Sequence, residues 1–250
     1  MSVLVEARDG VLVVTLNRPE AKNAANREMA EAVAEAMTEL DRRDDLAVGV
    51  LTGAGGTFCA GMDLKAFLRG ESPVVPGRGF LGLVEAPPEK PLIAAVEGYA
   101  LAGGCEAVLA ADLVVASPSA KFGLPEVKRG LVAAAGGLMR LPRRIPPAIA
   151  TELALTGDLF DAERAYALGL VNRLAEEALP EALALARRIA ANGPLAVRAS
   201  KRIIRESADW PQAEMFGRQR EISGPVFASA DAKEGASAFA EKRAPVWRGR

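Results

Sequence analysis

Two apolar, β-branched runs, Ser2–Arg8 and Val11–Asn17, flank Asp9-Gly10, and this pattern predicts a tight β-hairpin. From Asn26 the period changes. Met29, Val33, Met37 and Leu40 fall on one face of a helix running to about Arg42, with Asn26 in position to cap it. Ala47–Thr52, Leu92–Val96 and Leu113–Ala116 read as buried strands, each preceded by helical or loop sequence, and the alternation predicts an α/β layer of stacked β-α turns. After about Gly136 the chain turns helical, with predicted helices over Ala148–Leu155, Ala162–Leu168, Pro180–Ala191, Leu195–Ser207, Ala213–Ser223 and Ala232–Arg243. Only Leu170–Arg173 reads as extended there, and Gly157, Gly169, Gly193-Pro194 and Gly224-Pro225 punctuate the helices. Gly70–Gly79, with Pro73 and Pro76, predicts a mobile surface loop.

Composition narrows the chemistry. The 250 residues include 31 Lys and Arg against 32 Asp and Glu, a net charge of −1. That balance disfavours nucleic acid or anionic lipid as partners, because both need clustered cations. There is no histidine, which removes Ser-His-Asp and Cys-His catalysis, imidazole metal sites and any His general base. Two cysteines, Cys59 and Cys105, are too few for a disulfide framework, a four-cysteine zinc site or an iron–sulfur cluster. The expectation is a reduced, cytoplasmic protein whose acids and bases are carboxylates, Lys, Tyr or bound water. No signal-peptide pattern opens the chain, and no charge-free stretch reaches the roughly 18 residues that suggest a membrane span.

The remaining chemistry lies in glycine turns and carboxylates. Gly53-Ala54-Gly55-Gly56 follows a strand but lacks the Gly-Lys-Ser/Thr of a phosphate loop, and Phe58 replaces the third glycine of a dinucleotide fingerprint. Phe58-Cys59-Ala60-Gly61-Met62-Asp63-Leu64-Lys65 places small residues at a turn before a helical stretch, where backbone N–H groups can approach a ligand. Gly98-Tyr99-Ala100-Leu101-Ala102-Gly103-Gly104-Cys105-Glu106 makes a second such turn, and N–H groups opening its helix have no intrahelical acceptor. Two turns of this kind can converge on one oxygen, as in an oxyanion hole. Each feature alone has a plainer reading: close packing for the Gly pair, a helix-dipole contact for Glu106, and an exposed residue after a proline turn for Glu126.

The ordered set changes that balance. Asn17-Arg18-Pro19 with Asn23-Ala24, Leu51-Thr52-Gly53, Phe58 to Lys65, Lys90 to Val96 with Gly98 to Glu106, Ala111-Asp112, Phe122-Gly123-Leu124-Pro125-Glu126, Gly136-Gly137, Leu155-Thr156-Gly157, Gly169 to Asn172 and Ala238 to Arg243 together resemble the crotonase (enoyl-CoA hydratase/isomerase) superfamily over almost the whole chain. The resemblance implies a crotonase-like α/β spiral of β-β-α turns over residues 1–195, carrying the active site. It also implies a C-terminal helical trimerisation region over residues 196–250, and a homotrimer or dimer of trimers.

Transferred position by position, the resemblance puts the oxyanion donors on the backbone N–H of Met62 and Gly103, and the acid/base pair on Glu106 and Glu126. Ala21, Ala60, Met62, Asp63 and Leu64, with Gly103, match the strip that holds coenzyme A. Phe239 and Lys242 match positions that reach a neighbouring subunit's coenzyme A, although packing at the subunit interface would account for them equally. The implied reaction is reversible hydration of a 2-enoyl-CoA, with Glu106 as base toward water and Glu126 as acid toward the α-carbon. The implied substrate is an acyl-CoA thioester, and neither a separate cofactor nor a metal is expected.

Gly130–Gly137 departs from the proline and glycine that many relatives carry after the second Glu. With Glu126–Gly130, Arg140-Leu141-Pro142 and Pro245-Val246-Trp247, this form looks closest to carnitinyl-CoA dehydratases and to bacterial hydratases of lipid or sterol side-chain breakdown. Two further readings stand beside the hydratase: an isomerase, which needs one carboxylate, and a non-catalytic trimer that binds acyl-CoA.

Overall fold

The computed structural model describes residues 1–250. β1 (Val3–Arg8) and β2 (Val11–Leu16) form the expected hairpin, with Val3 opposite Leu16. Asp9 and Gly10 both take positive φ, 50° and 75°, the turn geometry that matches strand twist. α1 (Arg27–Arg42) begins at the Asn26 side chain, which accepts the Met29 N–H at 3.0 Å. Its face of Met29, Val33, Met37 and Leu40 is fully buried.

β3 (Val48–Gly53) pairs in parallel with β2. Next come α2 (Leu64–Leu68), the short strands β4 (Val74–Val75) and β5 (Gly79–Phe80), and then β6 (Leu92–Val96) beside β3. β7 (Tyr99–Leu101) leads into α3 (Gly103–Ala110), then β8 (Leu113–Ala116) and β9 (Lys121–Gly123). A 3-10 turn over Pro125–Arg129 leads to α4 (Gly137–Arg144) and α5 (Pro147–Thr156). β10 (Phe160–Asp161), α6 (Ala162–Ala167), β11 (Arg173–Leu174) and α7 (Ala178–Ala190) complete the core. α8 (Pro194–Glu206), α9 (Met215–Phe227) and α10 (Ala230–Glu241) close the chain.

The main sheet runs β1-β2-β3-β6-β8-β11, parallel after the first hairpin. Both faces of its inner strands β2, β3, β6 and β8 are covered, which is why these read as continuous apolar runs. Leu12, Val14, Leu16, Leu51, Ala94 and Val96 join the larger core with α1. Val11, Val13, Val48, Val50, Ile93 and Ala95 pack with Ala178, Ala182, Leu183 and Ala186 of α7. A second sheet, β10-β9-β7, stacks successive turns: after β6 and β8 the chain passes into β7 and β9, which pair in parallel. This repeated passage from one sheet to the other is the spiral.

Several expectations change. Gly70–Gly79 is not a free loop, because Val74 pairs with Phe80 and Val75 with Gly79 in an antiparallel hairpin. The extended piece near Leu170–Arg173 shrinks to Arg173–Leu174, paired with β8. α4 forms with Pro142 inside it, and α9 continues through Pro225. β7, β9 and β10 are three residues or fewer, too short to carry a period of their own. No helix is long and apolar enough to cross a membrane.

Candidate active site

Two bends meet at the site. Residues 59–62 are sandwiched between neighbouring segments: the Cys59 N–H donates to the Tyr99 carbonyl at 2.8 Å, and the Leu101 N–H returns to the Cys59 carbonyl at 3.0 Å. On the other side the Ala25 N–H donates to the Gly61 carbonyl at 2.8 Å, and the Asp63 N–H to the Ala25 carbonyl at 2.9 Å. Met62 is bridged in register with Ala25, yet its own N–H donates to no group of the chain.

The second bend is strained. Ala102 sits at φ 51°, ψ −129°, a region that a residue with a Cβ rarely enters and that clusters at functional sites. Its N–H is held by the Gly123 carbonyl at 2.9 Å. This twist delivers Gly103 as the first residue of α3 with its N–H also unspent. The ring of Phe80 lies so close that a Cβ on Gly103 would meet it at 2.4 Å, and a Cβ on Gly61 would lie 3.5 Å from the Gly103 nitrogen. The bends are therefore adjacent, and the β4–β5 hairpin borders the site through Phe80.

Side chains lock the first bend. Asp63 Oδ1 accepts from the Lys65 and Ala66 N–H groups at 3.0 and 3.1 Å, capping α2, and Oδ2 accepts from Arg18 at 2.9 Å. Partial burial works against ionisation of this carboxyl, but the helix amides and Arg18 outweigh it and hold the acid below its ordinary range. Arg18 also donates to the Ala24 carbonyl at 2.6 Å. Asn23, buried at φ 53°, donates to the Ala54 and Thr57 carbonyls at 2.9 and 2.6 Å and accepts the Arg18 N–H at 2.8 Å.

The carboxylates sit on the next two elements. Glu106, in the first turn of α3, is buried, and its Oε1 accepts from the Ala135 and Gly137 N–H groups at 2.7 and 2.8 Å. Burial pushes its acid above the usual range, against those two donors and the Arg140 charge. Glu126, on the 3-10 turn, is half-buried, and its Oε2 is sealed from solvent with no hydrogen-bond partner. Burial raises its acid too, and the Glu106 charge adds to the rise. Both carboxylates act on the Cys105 thiol, which burial first and then these charges push up to about 12. A cavity of about 370 Å³ opens beside Leu101, Pro125, Arg129 and Leu159, on the flank of the Glu126 turn.

Known proteins carry the same frame. The model of the enoyl-CoA hydratase/isomerase family matches residues 6–250. The chain belongs to that family. It is 45% identical over 260 residues to enoyl-CoA hydratase EchA19 of Mycobacterium tuberculosis, covering 99% of this chain and 96% of that protein. It is 44% identical to the carnitinyl-CoA dehydratase of Salmonella typhi, covering 96% and 95%. Among solved structures, an enoyl-CoA hydratase from Mycobacterium tuberculosis H37Rv is 64% identical and superposes with a TM-score of 0.98, covering 100% of this chain and 99% of that one. That superposition covers the spiral described above.

The fold thus brings Met62, Gly103, Glu106 and Glu126 to neighbouring turns. Ala21 lies in the 3-10 turn before α1, and Ala60 donates to the Lys22 carbonyl at 3.0 Å, so both border the first bend. Leu64 is exposed at the start of α2. Asp63, expected in the coenzyme A strip, has both its oxygens taken by Arg18 and α2, so its side chain braces the first bend. Phe239 and Lys242 are exposed on and just after α10. The sequence reading assigned no role to Arg18, Asn23 or the Ala135–Gly137 amides. Asn23 gave a usable signal, since asparagine is among the few side chains that favour left-handed backbone.

Proposed function

We propose that this chain is an enoyl-CoA hydratase that adds water reversibly, in syn fashion, to a 2-enoyl-CoA. One observation carries the reading: two unspent backbone amides from adjacent bends lie beside two carboxyls whose acids are both raised. In the forward step the water oxygen bonds to the β-carbon as its proton passes to one carboxylate. The π electrons move to the thioester oxygen, held by the Met62 and Gly103 N–H groups. The other carboxyl then delivers its proton to the α-carbon, leaving a 3-hydroxyacyl-CoA. Losing one oxyanion donor lowers such rates by on the order of 100- to 1,000-fold.

The surroundings support an unequal division of labour. Two amide donors stabilise ionised Glu106, which suits it as the base toward water. Glu126 has an orphaned oxygen and feels the Glu106 charge, which favours its protonated form and suits it as the acid. The Glu106 charge links the Glu126 titration to its own, and the roles exchange in dehydration. A carnitinyl-CoA dehydratase-like lyase would use the same four groups, and relatives of that name match nearly full length. An isomerase would need only one of the carboxyls.

No separate cofactor is required by this chemistry, since coenzyme A arrives with the substrate. The reading further includes a cytoplasmic homotrimer or dimer of trimers. It is supported by Ile204, Phe216, Phe227 and Phe239, large apolar side chains exposed on α8–α10. The test follows the loss of conjugated thioester absorbance on crotonyl-CoA and longer enoyl-CoAs, with product analysis. Formation of 3-hydroxyacyl-CoA is expected. Double-bond migration alone would favour the isomerase, and tight thioester binding with no turnover would favour the non-catalytic trimer.

A further inference from the structure

We propose that Arg140 is a positioning residue for hydration, holding the turn that clamps Glu106 and keeping that carboxylate aimed. The inference rests on Glu106 being the base. Arg140 lies on α4, one turn beyond the Glu106 clamp, with its guanidinium partly buried. One of its nitrogens donates to the Ala135 carbonyl at 3.4 Å and another to the Val84 carbonyl at 2.5 Å. Ala135 is the residue whose N–H donates to Glu106 Oε1. The guanidinium therefore ties the clamp to the segment after the β4–β5 hairpin, whose Phe80 walls Gly103.

The clamp is closely packed against both side chains. A Cβ on Gly136 would meet Arg140 Nη1 at 2.3 Å, and one on Gly137 would meet Glu106 Cγ at 2.8 Å. Arginine stays charged even when buried, so a fixed cation acts on the carboxylate beside the turn that holds it. The other groups acting on this cluster are Arg143 and Arg144 on α4, Glu126 and Arg129 on the 3-10 turn, the Cys105 thiol, and Arg205 of α8 against Arg140. Removing the Arg140 charge lifts the acid of Glu106, so the limb of activity that falls at low pH moves to higher pH.

The test measures kcat, KM and the pH profile on crotonyl-CoA for wild type, Arg140→Lys and Arg140→Gln, with Glu106→Gln and the double variant Glu106→Gln/Arg140→Gln. Misplacing a reacting group by about an ångström lowers rate on the order of 100-fold. Arg140→Gln should approach that loss in kcat, keep KM within about twofold, and shift the acid limb upward, whereas Arg140→Lys should hold the limb near its wild-type place. In the Glu106→Gln background the Arg140→Gln loss should largely disappear, as expected for groups acting through one another. A folded Arg140→Gln with an unmoved acid limb, or losses that simply multiply in the double variant, would overturn the inference. If Arg140→Gln does not fold, Arg140→Lys decides: a severalfold drop in kcat at unchanged KM upholds the inference, and wild-type kcat overturns it. No hydration by the wild type would overturn the functional reading, and this one with it. An active wild type that fails the Arg140 tests would overturn this one alone.

Discussion

Glu126 Oε2 and the Met62 and Gly103 amides are polar groups held without a partner, and such groups are uncommon in folded proteins. Their expense is borne at the site. Glu106→Gln and Glu126→Gln should each lower hydratase turnover by roughly 100- to 10,000-fold, the usual worth of a placed proton-transfer group, while inhibition by free coenzyme A stays nearly unchanged in steady-state assays. Stability should respond in the opposite sense. A carboxyl whose acid is raised by folding contributes stability that is complete below its unfolded-state range and lost as pH rises through the folded value. Gln mimics the protonated form, so Glu126→Gln should gain melting temperature relative to wild type as pH climbs from 4 toward 8, measured by differential scanning fluorimetry. A difference that stays flat across that range would contradict the raised acid.

At the level of elements, α1 and α3 carry different duties. α1 is a packing element set by its cap, and Asn26→Ala should lower unfolding free energy by about 1 kcal/mol in chemical denaturation, with kcat unaffected. α3 instead leaves its first amide, that of Gly103, without an acceptor, where the proposed hydration would use it. Gly103→Ala drives a methyl into the Phe80 ring, and kcat should drop on the order of 100-fold or more through loss of donor geometry, with coenzyme A affinity falling far less.

The hairpin, α1, β6 and β8 were legible in the chain because each carries a periodic or continuous apolar signal plus a cap or turn residue. α4 was not, because Gly136-Gly137 and Pro142 are residues that ordinarily break helices. Here Gly137 is required by the Glu106 side chain rather than by helix propensity. The short second sheet was illegible for a related reason: three residues such as Tyr99–Leu101 are specified by partners distant in sequence. The two glutamates and both bends were identifiable from the ordered motifs. Their supports, Arg18, Asn23 and Arg140, lie within those motifs, but the contacts through which they act, to backbone carbonyls and to Asp63, exist only in the folded chain.

For the molecule as a whole, the division of labour runs along the chain. The spiral buries its sheet on both faces and finishes with α7, whereas α8 and α9 contribute no fully buried residue. Helices of that kind gain stability from a second surface. We expect sedimentation velocity to give a trimer or hexamer. Phe227→Asp, on an exposed apolar position of α9, should shift the population toward monomer and lower the melting temperature, while a protein that sediments as a monomer before any substitution would remove the premise. Lys201 anchors α8 to the core, donating to Pro88 and Lys90 carbonyls and to Asp112 at 2.6 to 2.9 Å. The final helices are thus fastened at their root.

Both native thiols, Cys59 and Cys105, are sealed inside, with burial pushing them up to about 11 and about 12, and no imidazole exists anywhere. A single cysteine introduced on the outer face of α10 would consequently be the only fast-reacting sulfur in the native protein. A maleimide dye placed there could follow subunit exchange in real time, without first deleting either natural cysteine.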